Sequence, residues 1–216
     1  MKITIITLLA GIAMSTAASG QSADFKQIYT ACQKAQASMS GGQGSKNEIR
    51  EAAELLKKAA WSMLVLQDVN VDDESDLKGH MVFSPAFFAE CANGRTVFER
   101  AEEYIIEEND STRGGKVGLC TKCIKGNSSA TYGFRGYGGT INVAAVAETN
   151  GMINVYVVVK DASGHESQPY KVSSNEFKGD SQRLLDSIVL PDGLSEVYIT
   201  VENKHRKAKS VAIIVE

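Results

Sequence analysis

The chain has 216 residues, 43% of them hydrophobic and 23% charged, with a net charge of −3 and four cysteines. That length supports one or two hydrophobic cores of its own. The near balance of charge excludes a basic nucleic-acid-binding stripe, and no apolar run reaches the roughly 20 residues that a membrane span needs.

Lys2 is the only charged residue before Gln21. It precedes an apolar run from Ile3 to Met14 and then Ser15-Thr16-Ala17-Ala18-Ser19-Gly20. A positive start, a short apolar middle and a small-residue end form the pattern of a secretory signal peptide. Residues 1–20 are therefore read as a cleavable signal, with cleavage after Gly20. The mature chain is expected to be exported, periplasmic or extracellular, with no membrane span. In an oxidising compartment Cys32, Cys91, Cys120 and Cys123 are candidates for disulfides, whose connectivity the sequence leaves open.

The first half of the mature chain has a hydrophobic period near 3.6. Phe25, Ile28, Tyr29, Cys32 and Ala35 share one helical face. After the break at Gly41-Gly42-Gln43-Gly44, Ser45-Lys46-Asn47-Glu48 reads as a capping box. A second helical stripe follows through Ile49, Ala52, Ala53, Leu56, Ala60 and Met63, with an end that is apolar nearly all round. Asp68 to Asp76 is an acidic connection. Ser84-Pro85 offers an N-cap and first-turn proline for a short helix over 85–92, and Thr96 to Glu108 predicts another. This half, residues 21–110, is expected to be a unit of three to four helices.

Asn109 to Gly115 has loop composition, and residues 111–118 are read as a linker. Beyond it, residues 119–216 read as strands with period 2. Ala130 to Phe134 alternates. Thr140 to Ala147 and Met152 to Val159 are apolar runs joined by Glu148-Thr149-Asn150-Gly151, a hairpin signal. Gln168 to Val172, Leu184 to Leu190, Glu196 to Val201 and Ser210 to Val215 are further strands, with a turn expected at Pro191-Asp192-Gly193. Short strands at this spacing predict an antiparallel, jelly-roll-like β-sandwich. The fold class is α+β.

Ala130-Thr131-Tyr132-Gly133-Phe134, Gly139-Thr140-Ile141-Asn142-Val143 and Ile153 to Gly164 occur in that order. Through them residues 128–216 resemble the bacterial pre-peptidase C-terminal domain and related jelly-roll sandwiches. The resemblance implies an accessory sandwich on a secreted protein, used for binding or targeting. That family often has an Asp entering the third strand, where it helps to bind calcium. Asn154 stands there in this chain, so calcium binding is not carried over.

Cys120-Thr121-Lys122-Cys123 is the most chemical-looking motif. Redox use would need a thiolate favoured by a helix N-terminus, and Ile124-Lys125-Gly126-Asn127 does not start a helix. Structural cysteines are the preferred reading. His80, His165 and His205 fall in predicted loops, and Pro169 replaces the second ligand of a zinc-type H-E-x-x-H begun at His165. Asp72 to Asp76 lacks the Gly and Glu of a calcium loop. No catalytic, cofactor-binding or metal-ligating set can be named, and no cofactor is implied. Tyr132, Phe134 and Tyr137 could stack on a ligand, although alternate aromatics on a half-buried strand usually pack inward. The function expected is a secreted, non-enzymatic binding or accessory protein of a bacterial envelope, its partner a glycan, a peptide or an envelope protein. The alternatives are a hydrolase with a cleft between the two halves, or a thiol-redox factor using Cys120 and Cys123.

Overall fold

The computed structural model describes residues 21–40, 46–71, 82–84, 87–88, 117–149, 152–172 and 188–216. Residues 1–20, read as a signal peptide, Cys91, His80, the acidic segment 72–76, the expected capping serine Ser45 and residues 111–116 of the expected linker 111–118 lie outside the described residues. So does the helix expected over 96–108.

Helix α1 spans Ala23–Ser40 and α2 spans Lys46–Lys58. Ser22 caps α1, its Oγ accepting from the Phe25 amide at 3.1 Å. The predicted stripe of α1 is buried throughout: Phe25, Ile28, Tyr29, Cys32 and Ala35 all face the core. Among the described residues there are two helices rather than three to four, plus the helical pair Phe87 and Phe88. Ser84 does cap that pair, its Oγ accepting from the Phe87 amide at 3.2 Å.

The second helix is shorter than its apolar stripe predicts, for a local reason. The Ala60 amide, which would continue α2, donates instead to Asp24 Oδ1 at 3.1 Å. The Leu56 carbonyl left over is taken by the Trp61 indole at 3.1 Å. The chain then leaves as strands β1 (Trp61–Met63) and β2 (Gln67–Asn70). Apolar residues on all sides of a helical projection, here at 61–66, are equally what a strand contributes to two buried surfaces.

The remaining strands are β3 (Val117–Ile124), β4 (Ser128–Ile141), β5 (Val143–Ala147), β6 (Ile153–Lys160), β7 (Tyr170–Val172), β8 (Ile188–Asn203) and β9 (Lys209–Val215). They form a four-stranded sheet in the order β1-β3-β9-β5 and a five-stranded sheet in the order β2-β4-β8-β6-β7. Strands from before the predicted linker thus enter both sheets. The β1–β3 pair is parallel, so the sandwich is not wholly antiparallel.

Two further expectations are corrected. Strands β5 and β6 do not form a hairpin: β5 pairs with β9 and β6 with β8, in different sheets. Their connection crosses from one sheet to the other, which lets both strands put apolar residues into the shared core. Pro191-Asp192-Gly193 is not a turn but part of the continuous strand β8. It sits opposite a register shift between Tyr137 and Gly139 of β4, a bulge that absorbs the turn-like residues. Gly139 and Gly193 take φ of 114° and 94° there, which suits glycine.

Two cores result. One lies between the sheets and includes Tyr132, Val157, Ile199 and Ile213. The other lies between α1, α2 and the back of the four-stranded sheet, with Phe25, Leu56, Val117 and Ile214. Strand β9 alternates between them: Val211, Ile213 and Val215 face the sandwich, and Ala212 and Ile214 face the helices. A sheet buried on both faces reads as a continuous apolar run. The order of layers is helices, four-stranded sheet, five-stranded sheet.

At one end of the sandwich the β3–β4 and β8–β9 turns are tied together. The buried Asn203 donates through Nδ2 to the carbonyls of Ile124 (2.9 Å), Lys125 (3.0 Å) and Lys207 (3.0 Å). Its Oδ1 accepts from the His205 amide at 2.9 Å. The Asn127 amide donates to the His205 carbonyl at 2.7 Å.

Candidate functional site

The described cysteines do not gather into a site. Cys120 points into the sandwich core and Cys32 into the helical core, on opposite sides of the four-stranded sheet. Both are free thiols, so no disulfide joins either to another cysteine. Burial pushes both thiols up to about 12, the reverse of what a thiolate nucleophile needs. Cys120 and Cys123 lie three apart in the unbroken strand β3, where their side chains point to opposite faces. A bond between them would need a turn that the pairing with β9 forbids.

The described histidines are structural in their contacts. His205 Nε2 lies 3.2 Å from Thr149 Oγ1. His165 belongs to an exposed loop knot with Asp161 and Ser163. There Asp161 Oδ1 accepts from the Ser163 hydroxyl at 2.6 Å and from the His165 amide at 2.9 Å. His165 Nδ1 lies 2.6 Å from Ser163 Oγ. The serine sits between acid and imidazole and donates its hydroxyl hydrogen bond to Asp161 rather than to the imidazole, so the order is wrong for a hydrolytic triad. The Ser163 hydroxyl and the His165 amide hold the Asp161 carboxyl below its usual range. Among the described residues no group of three or more His, Cys, Asp or Glu is placed to hold a metal.

Of the three aromatics singled out from sequence, Tyr132 is fully buried in the sandwich core. The Lys122 ammonium lies 4.3 Å from its ring centroid and 3.1 Å from Asp68 Oδ1. Phe134 is partly buried against the same core. Tyr137 is exposed, beside the bulge.

The face that meets solvent with aromatic and polar side chains is the outer side of the five-stranded sheet. The described contacts of α1 run to β5 and β9 of the other sheet. Alternation sends Val155, Val157, Val159, Val197, Ile199 and Val201 inward. The intervening half-buried residues of β6 and β8 therefore face out: Asn154, Tyr156, Val158 and Lys160, with Glu196, Tyr198, Thr200 and Glu202. Register sets Tyr156 beside Thr200 and Val158 beside Tyr198, so the two tyrosines are diagonal neighbours on adjacent strands.

Polar groups on this face are already bonded to one another. Tyr198 OH donates to Glu196 Oε2 at 2.6 Å, and Asn154 Nδ2 donates to Glu202 Oε2 at 2.8 Å. The Thr131 and Thr200 hydroxyls are 2.9 Å apart. Lys160 lies 3.8 Å from Glu196, and Lys204 lies 3.3 Å from Glu202. The Tyr198 hydroxyl, then Lys160 and Arg135, hold Glu196 below the usual carboxylate range. The bond to Glu196 raises Tyr198 in return.

Gly133 of β4 shapes the middle of the face. A Cβ there would stand 3.5 Å from Cδ1 and Cε1 of Tyr198 and 3.1 Å from Cγ2 of Val69. The tyrosine ring and the exposed valine therefore lean over the glycine from either side. Tyr156 and Tyr198 were not among the residues picked from sequence. Their signal was present, as the out-facing members of alternating strands, but only the helices covering the other sheet decide which sheet has, among the described residues, a face without a helix on it.

A concavity of about 440 Å³ lies between the two helices and is lined by Lys34, Arg50, Glu51, Glu54, Leu55 and Lys58. Lys34 and Glu51 pair across it at 2.9 Å. It lies within the helical layer.

No protein-family model matches the sequence, and no curated protein matches it. Among solved structures, the chain is similar to the periplasmic inhibitor of g-type lysozyme from Salmonella Typhimurium. The two are 20% identical, with a TM-score of 0.32, over 46% of this chain and 86% of that one. At that TM-score the likeness does not establish a shared fold.

Proposed function

We propose that the protein is an exported, non-catalytic binding or accessory protein of a bacterial envelope, and that its ligand surface is the outer face of the five-stranded sheet. The observation that carries the reading is the Tyr156 and Tyr198 pair on that face, set among polar side chains that are hydrogen-bonded to each other. Side chains held in this way lose little further freedom when a ligand arrives, and that lost freedom is one of the main costs of binding. Tyrosines add large, rigid contact area at low entropy cost. The signal-peptide pattern of residues 1–20 and the resemblance of residues 128–216 to pre-peptidase C-terminal domains support the same role.

The test applies the purified mature chain to glycan and peptide arrays beside a broad hydrolase screen. Binding without turnover is expected. A Tyr156→Ala, Tyr198→Ala double variant is expected to abolish it, and an Arg50→Ala, Lys58→Ala variant on the helices to leave it intact. Turnover that vanishes when one carboxylate is neutralised would refute the non-catalytic reading. N-terminal sequencing of exported protein is expected to start at Gln21, and an intact Met1 would exclude processing.

A further inference from the structure

We infer that the ligand of this face is a neutral glycan chain, lying across Tyr198 and Tyr156 with its hydroxyls met by Thr131, Thr200, Asn154 and Glu202. The inference rests on the binding-surface reading above and narrows it to one chemical class.

A pyranose ring has faces of weakly positive C–H bonds and a rim of hydroxyls. Its C–H faces suit an aromatic face, whose quadrupole is negative. Its rim needs donors and acceptors standing beside that ring. The outer sheet provides both at strand spacing. Tyr198 is pinned by its bond to Glu196, and Val69, 54% exposed, continues the apolar surface over Gly133. One pair along the strands from Tyr198 stand the Thr131 and Thr200 hydroxyls beside Tyr156. One pair further stand Asn154 and Glu202. Strand geometry separates successive rows on one face by about 6.6 Å. Polar rows thus flank the aromatic pair on the side that a neighbouring sugar would occupy.

Charge decides between glycans. Glu196 lies among Lys160 and Arg135, Glu202 lies beside Lys204, Lys171 of β7 stands in register with Tyr156, and Glu166 acts on Tyr198. Opposite signs are interspersed, so the face generates no single-sign field of the kind that draws a polyanion. A neutral polyhydroxyl chain fits such a surface. A protein partner fits it less well. Protein interface cores are depleted in charge and centred on apolar anchors. Here Arg135, Glu196 and Lys160 form a cross-strand row one pair from Tyr198, on its other side.

Affinity electrophoresis of the full mature chain tests this, in native gels cast with a soluble β-glucan, an α-glucan, glycol chitin or, as the charged control, alginate. Retardation by at least one of the three neutral polymers is expected. Tyr198→Ala and Tyr156→Ala should each weaken it by about tenfold, the order of one lost aromatic contact. Arg50→Ala, on the helices and away from this face, should retain it. Thermal unfolding of each variant separates loss of binding from loss of fold. Should an alanine variant melt early, Thr131→Val with Thr200→Val tests the same surface without removing a ring. Retardation by alginate alone, or by neutral polymers equally in all variants, overturns the inference. Peptide-array binding that depends on Tyr156 and Tyr198, without any glycan retardation, also overturns it while leaving the binding surface standing. If neither array depends on these residues, both readings fall.

Discussion

Replacing Asn203 by alanine is expected to unfasten the end of the sandwich where two turns meet. Asn203 is 1% exposed. Its amide group serves three carbonyls, those of Ile124, Lys125 and Lys207, and its oxygen serves the His205 amide. Two N–H hydrogens cannot point directly at three acceptors, so at least one is shared. The Lys125 carbonyl keeps the Ser128 hydroxyl at 2.9 Å as a second partner and loses least. A buried polar group left unsatisfied costs about 1–3 kcal/mol, so the three left, the Ile124 and Lys207 carbonyls and the His205 amide, put the loss at about 3 kcal/mol at the low end of that range. For a chain of this size that is a fall in Tm of roughly 5–15 °C. Equilibrium urea unfolding followed by Trp61 fluorescence and far-UV circular dichroism measures it, and coincident transitions justify two-state treatment. Asn203→Asp adds a sign test. A carboxylate facing three carbonyls would have its folded pKa raised above about 3.9. Its stability deficit is then small below that value, grows as pH rises through the folded pKa, and is complete above it. A loss below about 0.5 kcal/mol for Asn203→Ala, typical of a surface change, would refute the assignment of Asn203 as the tie between the turns.

The same junction makes Gly126→Ala disruptive: a Cβ there would stand 2.8 Å from the Lys207 nitrogen and overlap the Arg206 carbonyl. A loss of about 1–3 kcal/mol of stability, read as a lowered urea midpoint, is expected for such forced overpacking. The Cys32 and Cys120 thiols, pushed up to about 12 by burial, should resist alkylation in the folded protein through pH 9 and react on unfolding. Peptide mass spectrometry reads this site by site, and labelling of either at the rate of a free peptide would refute their burial. Tyr198→Phe removes the largest cause of the lowered Glu196 carboxyl, so the Glu196 pKa should move up toward its ordinary value in a carbon-13 carboxyl titration. The contribution of Glu196 to stability is present above its unfolded pKa and lost as pH falls through the lowered folded value. An unmoved Glu196 pKa in the Phe variant would show that Lys160 and Arg135 set it instead.

Local patterns determined a good deal about this protein on their own. The stripe from Phe25 to Ala35 is a helix buried along that face, because period 3.6 admits one solution. The alternation of Ile153 to Lys160 is a half-buried strand, because period 2 does the same. What the tertiary structure alone decided is where ambiguous segments belong. Residues 61–66 carry apolar side chains on all sides, and Asp24, arriving from the other helix, takes the Ala60 amide and ends α2 before them. Asn150-Gly151 has hairpin composition, yet β5 and β6 join different sheets, because the shared core rewards each for facing it from opposite sides. Pro191-Asp192-Gly193 looks like a turn and is absorbed as a bulge, since thirteen pairs of β4–β8 register hold the strand on both sides of it. The candidate site follows the same division. The sequence could place Tyr156 and Tyr198 on the polar side of their strands, and Tyr132 on the other side of its own. Among the described residues, only the packing of α1 on the four-stranded sheet determines that the polar side of β6 and β8 is an outer face rather than a second core. Burial of a face depends on what packs against it, and that partner is distant in sequence.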